Sequence, residues 1–298
     1  MIQFSIIIPH KNTPLLLRRC LDSIPRREDI QIIVVDDNSS QDQVDFEHFP
    51  GLNDPYVEIV FTKEGKGAGY ARNIGLSKAK GKWLLFADAD DFFTENAFGY
   101  LFDYIDSPHD IVFFQAVSCH SETYEPANRA NRYNRLVDNF LKNVIDAEDT
   151  LRFTWWVPWG KMIRAEFIQK ENILFDEVIA SNDVMFSAIT GFFAKSIDAV
   201  DCVIYCITSR MGSLIKTKSA EYLTSRYIVR LWYNAFLKKI NKKHFQFANI
   251  RYLYLSLVNY GAKLFFNFFY LAIIYHDNLF SAKNRLILKK AFFEKTKS

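Results

Sequence analysis

The feature that most constrains this chain is a series of short, nearly pure apolar runs, each stopped by a polar or acidic cluster. Phe4–Ile8 ends at Pro9, with His10, Lys11 and Asn12 behind it. Ile30–Val35 is cut off by Asp36-Asp37-Asn38-Ser39, and Trp83–Phe86 by Asp88-Ala89-Asp90-Asp91. Val57–Phe61 and Ile111–Phe114 are further runs of the same kind. Continuous apolar runs this short are what strands covered on both faces look like. Between them, Leu15–Ile24 has helical spacing, and Ala71–Lys80 reads as a helix opened by a glycine-rich turn. Strand alternating with helix predicts an α/β fold: a mostly parallel sheet with helices on both faces. In such sheets ligands bind beyond the carboxyl ends of the strands, which is where the polar clusters fall.

The remainder of the chain has a different character. Residues 119–150 are polar, with a helical stretch at Leu136–Ile145, and aromatic density returns from Trp155. From Glu221 the spacing predicts helices at Glu221–Ile240, at Phe247–Tyr275 with a break near Gly261, and at Ala282–Lys295. Charge divides the chain as well. The formal net charge is only +3, yet residues 215–298 hold 16 Lys and Arg against 3 Asp and Glu, so the preceding part is acidic. An acidic front joined to a basic, aromatic rear predicts two regions, 1–214 and 215–298, with a soft boundary near Ser213–Ser219, that meet different partners.

Several classes are excluded. With 49% hydrophobic and 24% charged residues the chain is neither disordered nor a simple coiled coil. Leu253–Tyr275 is the nearest thing to a membrane span and is interrupted by Asn259, Lys263 and Asn267. The start, MIQFSIIIPHK, lacks a basic region and a cleavage site, so a secretory signal is not expected. The 4 cysteines (Cys20, Cys119, Cys202, Cys206) form no CxxC pair, which predicts reduced thiols in a cytoplasmic protein rather than a zinc site. The 6 histidines show no ligand spacing, so a histidine-based metal centre is not expected.

The strongest chemical signal is Asp88-Ala89-Asp90 directly after an apolar run. Side chains two apart in extended backbone point the same way, so both carboxylates can converge on one hard cation, Mg²⁺ or Mn²⁺, that also takes phosphate oxygens. The alternative is an acidic cap, with Asp91 opening a helix at Phe92. Asp36-Asp37 is a second acidic pair at a strand end. A carboxylate there can accept from the N3–H of uracil, or it can simply build a turn. Between the pairs, Gly65-Lys66-Gly67-Ala68-Gly69-Tyr70-Ala71-Arg72 offers close backbone approach, a helix start that favours anions, and a cationic fork at Arg72. It is neither the dinucleotide fingerprint nor a Walker A loop.

The ordered set SIIIPHKN, IIVVDDNSS, GAGYARNIGL and WLLFADADD resembles the family-2 inverting glycosyltransferases of the GT-A fold. The likeness resumes at Trp159-Gly160-Lys161-Met162-Ile163-Arg164, at Ile173–Asp176 and at Ser181–Phe186. The resemblance implies a Rossmann-like GT-A domain followed by a helical region. It implies that Asp37 holds uracil with Asp36 beside it, and that Pro9 lines the nucleotide pocket through its backbone. It places Arg72 near the nucleotide or its phosphates, and makes Asp88 and Asp90 the Mn²⁺ or Mg²⁺ motif, Asp90 the closer ligand. The family's base position falls on Asn182-Asp183; the glutamate of the usual pair is absent, so Asp183 is the lone carboxylate there. Arg210-Met211-Gly212-Ser213-Leu214 resembles the basic segment that closes over the diphosphate.

The implied activity is transfer of a sugar from a nucleotide diphosphate donor, UDP-linked, to a hydroxyl of a glycan or lipid-linked acceptor in bacterial surface polysaccharide assembly. A general base would activate that hydroxyl, and partial burial would make an aspartate basic enough. Trp155, Trp156 and Trp159 could stack on an acceptor sugar or serve as core. Arg226, Arg230, Lys238, Lys239, Lys242 and Lys243 interleave with Tyr227, Leu231, Trp232, Phe236 and Leu237 as a basic amphipathic helix, followed by Phe265, Phe266, Phe268, Phe269 and Tyr270. That pattern fits either a solvated face or attachment to an anionic membrane, here the inner face of the cytoplasmic membrane. No nucleic-acid motif is present, and none is expected as partner. Two rival readings share these features: a nucleotidyltransferase that makes nucleotide sugars, and a catalytically silent scaffold of the same fold.

Overall fold

In the computed structural model, residues 1–210, 219–279 and 281–287 are described. The chain divides into two compact units, Met1–Val178 with Phe186–Ser213, and Ile179–Met185 with Leu214–Ser298.

The first unit is built on one sheet of 8 strands. The strands are β1 (Phe4–His10), β2 (Ile30–Asp36), β3 (Val57–Phe61), β4 (Trp83–Phe86), β5 (Phe92–Phe93), β6 (Ile111–His120), β7 (Lys161–Arg164) and β8 (Ile197–Ser209). Their order is β3-β2-β1-β4-β7-β6-β8-β5. Every residue of β1 is buried, and β2 is buried apart from Gln31. Each buried Ile or Val there is worth about 1.5–3 kcal/mol of transfer free energy, which is why these runs settle at the centre. β1 pairs in parallel with β2 on one side and β4 on the other, with Ile6 opposite both Ile32 and Leu85. This register brings the polar clusters after β1, β2 and β4 to one edge of the sheet.

The helices are α1 (Pro14–Asp22), α2 (Ala68–Lys78), α3 (Ala97–Asp103), α4 (Asn131–Leu141), α5 (Ala147–Thr154), α6 (Ala165–Lys170), α7 (Asp183–Phe193), α8 (Ala220–Lys239), α9 (Ile250–Tyr260) and α10 (Ala262–Ile274). α2 lies so close to β1 that a Cβ at Gly75 would collide with the Ile7 side chain.

The sheet is mixed. β7 runs antiparallel to both β4 and β6, and β5 antiparallel to β8. The four residues of β7, KMIR, are polar at both ends and carry no strand pattern of their own. β5 corrects one alternative: Asp91 precedes a strand at Phe92–Phe93, not a helix, and the next helix begins at Ala97.

In the second unit, Tyr227, Leu231, Leu253, Phe268 and Ala272 form a core between α8, α9 and α10. The Tyr227 ring stacks on Phe268 at 4.3 Å and on Tyr252 at 5.7 Å, and its hydroxyl donates to the Phe268 carbonyl at 3.0 Å. Gly261, at φ +87°, makes the expected break between α9 and α10. Asp277 accepts from the side-chain amides of Asn234 and Asn249 at 2.7 and 3.2 Å, and burial pushes its carboxyl above the usual range. Of the two readings of the basic α8, its apolar residues agree with a solvated face over a core, and Lys238 and Lys239 are exposed. Tyr227, Leu231 and Leu237 are fully covered, and the Arg230 guanidinium lies 3.7 Å from the Phe247 ring centroid and donates to Asn249. The expected helix at Ala282–Lys295 reaches beyond the described residues, as does the Met211–Leu214 part of the basic loop segment. No described helix is long and apolar enough to cross a membrane.

Candidate functional site

At the ends of β1 and β2, Asp36 is enclosed. His10 Nδ1 lies 2.7 Å from Asp36 Oδ1, while the Thr13 N–H donates to His10 Nε2 at 3.1 Å. With Nε2 accepting, the ring proton sits on Nδ1 and goes to Asp36. Ser39 adds two donors to the same carboxylate, its N–H to Oδ2 at 2.9 Å and its hydroxyl to Oδ1 at 2.6 Å. Burial raises the Asp36 carboxyl, but these hydrogen bonds outweigh it and hold it below the usual range. Asn12 and Asn38, both near φ 56°, turn the two loops. They are joined where the Asn12 N–H donates to Ser39 Oγ at 2.8 Å and Asn12 Oδ1 accepts from the Ser40 N–H at 2.9 Å.

Asp37 differs from its neighbour. It is buried, and its Oδ2 accepts from the Gly67 N–H at 2.8 Å with Lys11 Nζ 3.5 Å away. Its buried Oδ1 has no hydrogen-bond partner among the described residues. A buried carboxylate oxygen without a donor is costly, and a ligand N–H would satisfy it. Gly67, at φ +96°, is the residue before α2, so the same turn that meets Asp37 also begins that helix. The first N–H groups of α2, from Ala68 onward, have no intrahelical acceptor and form an anion-favouring end. Pro9 stands next to His10 in β1, opposite Val35.

The end of β4 carries the acidic cluster. One oxygen from each of Asp88, Asp90 and Asp91 lies within 4.8 Å of the others. Arg72, buried on α2, donates to Asp88 Oδ1 at 2.6 Å, and its guanidinium sits 5.3 Å from the Phe175 ring. The Asp88 N–H donates to the hydroxyl of buried Tyr205 at 2.9 Å, and the Tyr205 ring stacks on Trp159 at 5.6 Å. The Asp90 carbonyl accepts from Arg19 at 2.6 Å and from the Thr208 hydroxyl at 2.7 Å, which fixes the turn. Arg210 Nε donates to Asp90 Oδ2 at 3.2 Å. Asp91 Oδ1 accepts from the Thr208 N–H at 2.7 Å. Burial, and then the charge on Asp88, push the Asp90 carboxyl up against the pull of Arg210. Burial, and then Asp90 and Asp88, push Asp91 well above its usual value. Hard oxygens gathered this closely, and destabilised by each other's charge, fit a divalent cation of the Mg²⁺ or Mn²⁺ type.

Asp183 is the first residue of α7. The segment before it is tied to α8, where Ser225 Oγ accepts from the Ala180 N–H at 3.2 Å and donates to the Ala180 carbonyl at 3.0 Å. One turn beyond, Phe186 stacks on Phe175 at 3.8 Å and meets Phe86, the last residue of β4, edge-on at 5.5 Å.

The tryptophans separate. Trp155 and Trp159 are buried, with the Trp155 indole donating to the Trp159 carbonyl at 3.0 Å and both rings packed on Tyr133. Buried rings present no face to a sugar, so the expected platform narrows to Trp156, which is partly exposed and has Arg132 3.7 Å from its ring centroid. Sequence reasoning missed Tyr205, Thr208 and Arg19 as supports of the acidic turn. The first two lie inside the β8 run and Arg19 on the polar face of α1, and nothing local marks them.

The fold is GT-A, a mixed sheet with its acidic clusters at the strand ends and helices following. It is shared with S. aureus TarS crystallised with UDP-GlcNAc, at a TM-score of 0.65 and 18% identity over 90% of this chain and 79% of that one. The mannosyltransferase PcManGT from Pyrobaculum calidifontis, in complex with GDP-Man and Mn²⁺, aligns at 0.56 and 16% identity over 92% and 82%. The profile of glycosyl transferase family 2 matches residues 5–163, and the chain belongs to that family. Among curated relatives, the uncharacterized glycosyltransferase EpsJ of Bacillus subtilis is 28% identical over 242 residues, 77% of this chain and 69% of EpsJ.

Proposed function

We propose that this chain is an inverting, metal-dependent glycosyltransferase. It moves a sugar from a nucleotide diphosphate donor, UDP-linked, to a hydroxyl of a glycan or lipid-linked acceptor in surface polysaccharide assembly at the inner face of the cytoplasmic membrane. Residues 1–214 bind the nucleotide sugar and carry the catalysis, and 215–298 form the C-terminal region. The observation that carries this reading is the pair of strand-end sites on one sheet edge: a buried Asp37 oxygen that lacks a donor, and the Asp88, Asp90 and Asp91 oxygens within 4.8 Å of one another.

Asp37 Oδ1 accepts the uracil N3–H, Asp36 anchors the loop that aims it, and Pro9 lines the pocket through its backbone. The start of α2 and Arg72 face the diphosphate, and Arg210 guards the same side through Asp90. Asp88 and Asp90, backed by Asp91, hold Mn²⁺ or Mg²⁺. When bound there, such an ion neutralises charge on the departing phosphate. Asp183 takes the proton from the acceptor hydroxyl, whose oxygen attacks the anomeric carbon from the face opposite the nucleotide. The bond from that carbon to the diphosphate oxygen breaks, and the nucleoside diphosphate leaves. Trp156 offers the acceptor its indole face. The complexes of TarS with UDP-GlcNAc and of PcManGT with GDP-Man and Mn²⁺ support a nucleotide-sugar donor and a divalent ion.

Incubation with a panel of UDP-sugars and Mn²⁺ tests this. UDP should be released only when the ion is present. In a parallel incubation with UTP and a sugar 1-phosphate, release of pyrophosphate would mean nucleotidyl transfer, and no turnover in either assay with no nucleotide bound would mean a silent scaffold.

A further inference from the structure

The exposed apolar surface of the second unit is concentrated on two short helices. On α9, Tyr254, Leu257 and Val258 are exposed, and on α10, Phe266, Phe269, Tyr270, Ile273 and Ile274. Val258, Phe266, Tyr270 and Ile273 are each more than half exposed. The spacing is helical: 254, 257 and 258 on one helix, and 266, 269, 270, 273 and 274 on the other, so each helix has an apolar outer face. The opposite sides, Leu253 with Phe268 and Ala272, are already used in the core. Most of the Val258, Phe266, Tyr270 and Ile273 surface is thus left outside that core.

Charge selects the occupant. Residues 250–276 contain no Asp or Glu, while Arg251 and Lys263 are exposed among the apolar side chains. Lys238, Lys239, Lys283 and Arg285 are exposed on neighbouring segments. A second copy of this face would set cation against cation with no acid to balance them, which disfavours a symmetric dimer. An anionic lipid surface gives the same cations phosphates and the aromatic side chains a headgroup boundary. At 13 residues α10 is about 20 Å long, too short for a hydrocarbon core of about 30 Å but suited to lying in the interface.

We propose that the outer faces of α9 and α10 lie on an anionic membrane surface, with Phe266, Tyr270 and Ile273 inserted at the headgroup–acyl boundary and Arg251 and Lys263 against lipid phosphates. The inference deepens the membrane setting proposed above and rests on it, but not on the choice of donor or base. It places the contact on α9 and α10 and not on α8, whose Tyr227, Leu231 and Leu237 lie in the interior.

Flotation of the full chain with vesicles of phosphatidylglycerol and phosphatidylethanolamine tests it, with phosphatidylcholine vesicles as the control. The wild type should float with the anionic vesicles and more weakly with the neutral ones. The triple variant Phe266→Ser/Tyr270→Ser/Ile273→Ser should partition about tenfold or more less well, and Arg251→Glu/Lys263→Glu should lose binding mainly at low salt. Circular dichroism and UDP release in solution should match the wild type for both variants. Wild-type binding that survives the triple substitution would overturn this face while leaving the membrane setting intact. No wild-type binding to anionic vesicles at low salt would overturn both. A wild-type dimer that the triple variant dissociates, without vesicle binding, would assign the face to a second copy. UDP release is independent of all these outcomes, so failure of the transferase reading shows separately.

Discussion

Asp36, the last residue of β2, and Asp91, the residue before β5, are both buried aspartates, yet their carboxyls are displaced in opposite directions. Around Asp36 the neighbours are donors: the His10 ring N–H, the Ser39 N–H and the Ser39 hydroxyl. Asp91 has the Thr208 N–H, but burial, and then the charges of Asp90 and Asp88, outweigh it. The first arrangement is complete in itself and joins two loops. The second repels itself and is relieved only by a proton or a cation. A buried carboxylate therefore does not define a role on its own; the sign of what surrounds it does.

The largest effect should leave both sites untouched. Asp183→Asn should cut sugar transfer on the order of 10³-fold while UDP and Mn²⁺ affinities stay as in the wild type, because a general base contributes to the chemical step and not to donor binding. Steady-state rates alongside calorimetry would check this, and retained turnover would move the base elsewhere. Next comes Asp37→Ala, which removes the acceptor proposed for uracil. UDP affinity should fall about 10- to 100-fold, the size of a lost charge-assisted hydrogen bond, with no change in the Mn²⁺-induced shift of Tm.

Two stability predictions probe the contrast itself. Asp36 has a depressed carboxyl, so its contribution is present above the unfolded value and lost as pH falls through the folded one. Asp36→Asn should cost about 1–3 kcal/mol at pH 7 in urea unfolding, with the deficit shrinking toward strongly acid pH. Asp91 has the opposite sign. Its folded value is raised, so its charged form penalises the metal-free fold, and the penalty grows as pH rises from the unfolded toward the folded value. In chelator, Asp91→Asn should raise stability by about 1 kcal/mol at pH 8 and by less at pH 5, the smallest of these effects. Equal shifts at both pH values would contradict the repulsion argument.

Much of the first unit was legible because its strands are short continuous apolar runs, those of β1, β2 and β4 buried on both faces and that of edge strand β3 partly so. Val57–Phe61 and Trp83–Phe86 match their expected bounds, and Phe4–Ile8 and Ile30–Val35 extend only to His10 and Asp36. Ile111–Phe114 was legible only in its apolar half; β6 continues to His120 through Gln115 and Val117, where one face opens. β7 was hidden because Lys161 is buried in it, its Nζ donating to Ser187 Oγ at 3.3 Å, and a lysine argues against a core strand. At the site, Asp36, Asp37, Asp88 and Asp90 stand out in the sequence by their position after apolar runs, and the resemblance gives them roles, but their supports are not marked. Tyr205 and Thr208 reach the acidic turn from more than a hundred positions away, through the β5–β8 pairing, and such contacts leave no local pattern. The same holds for Trp155, whose burial follows from Phe113 and Tyr133 packing on it.

The central claim is that the acidic cluster after β4 holds a cation that the nucleotide shares. Calorimetric titration of UDP into the wild type and into Asp90→Ala, each with and without Mn²⁺, addresses it directly. Mn²⁺ should strengthen UDP binding by about tenfold or more in the wild type and have no effect in the variant. UDP affinity in the wild type that is the same with and without the ion would contradict the account.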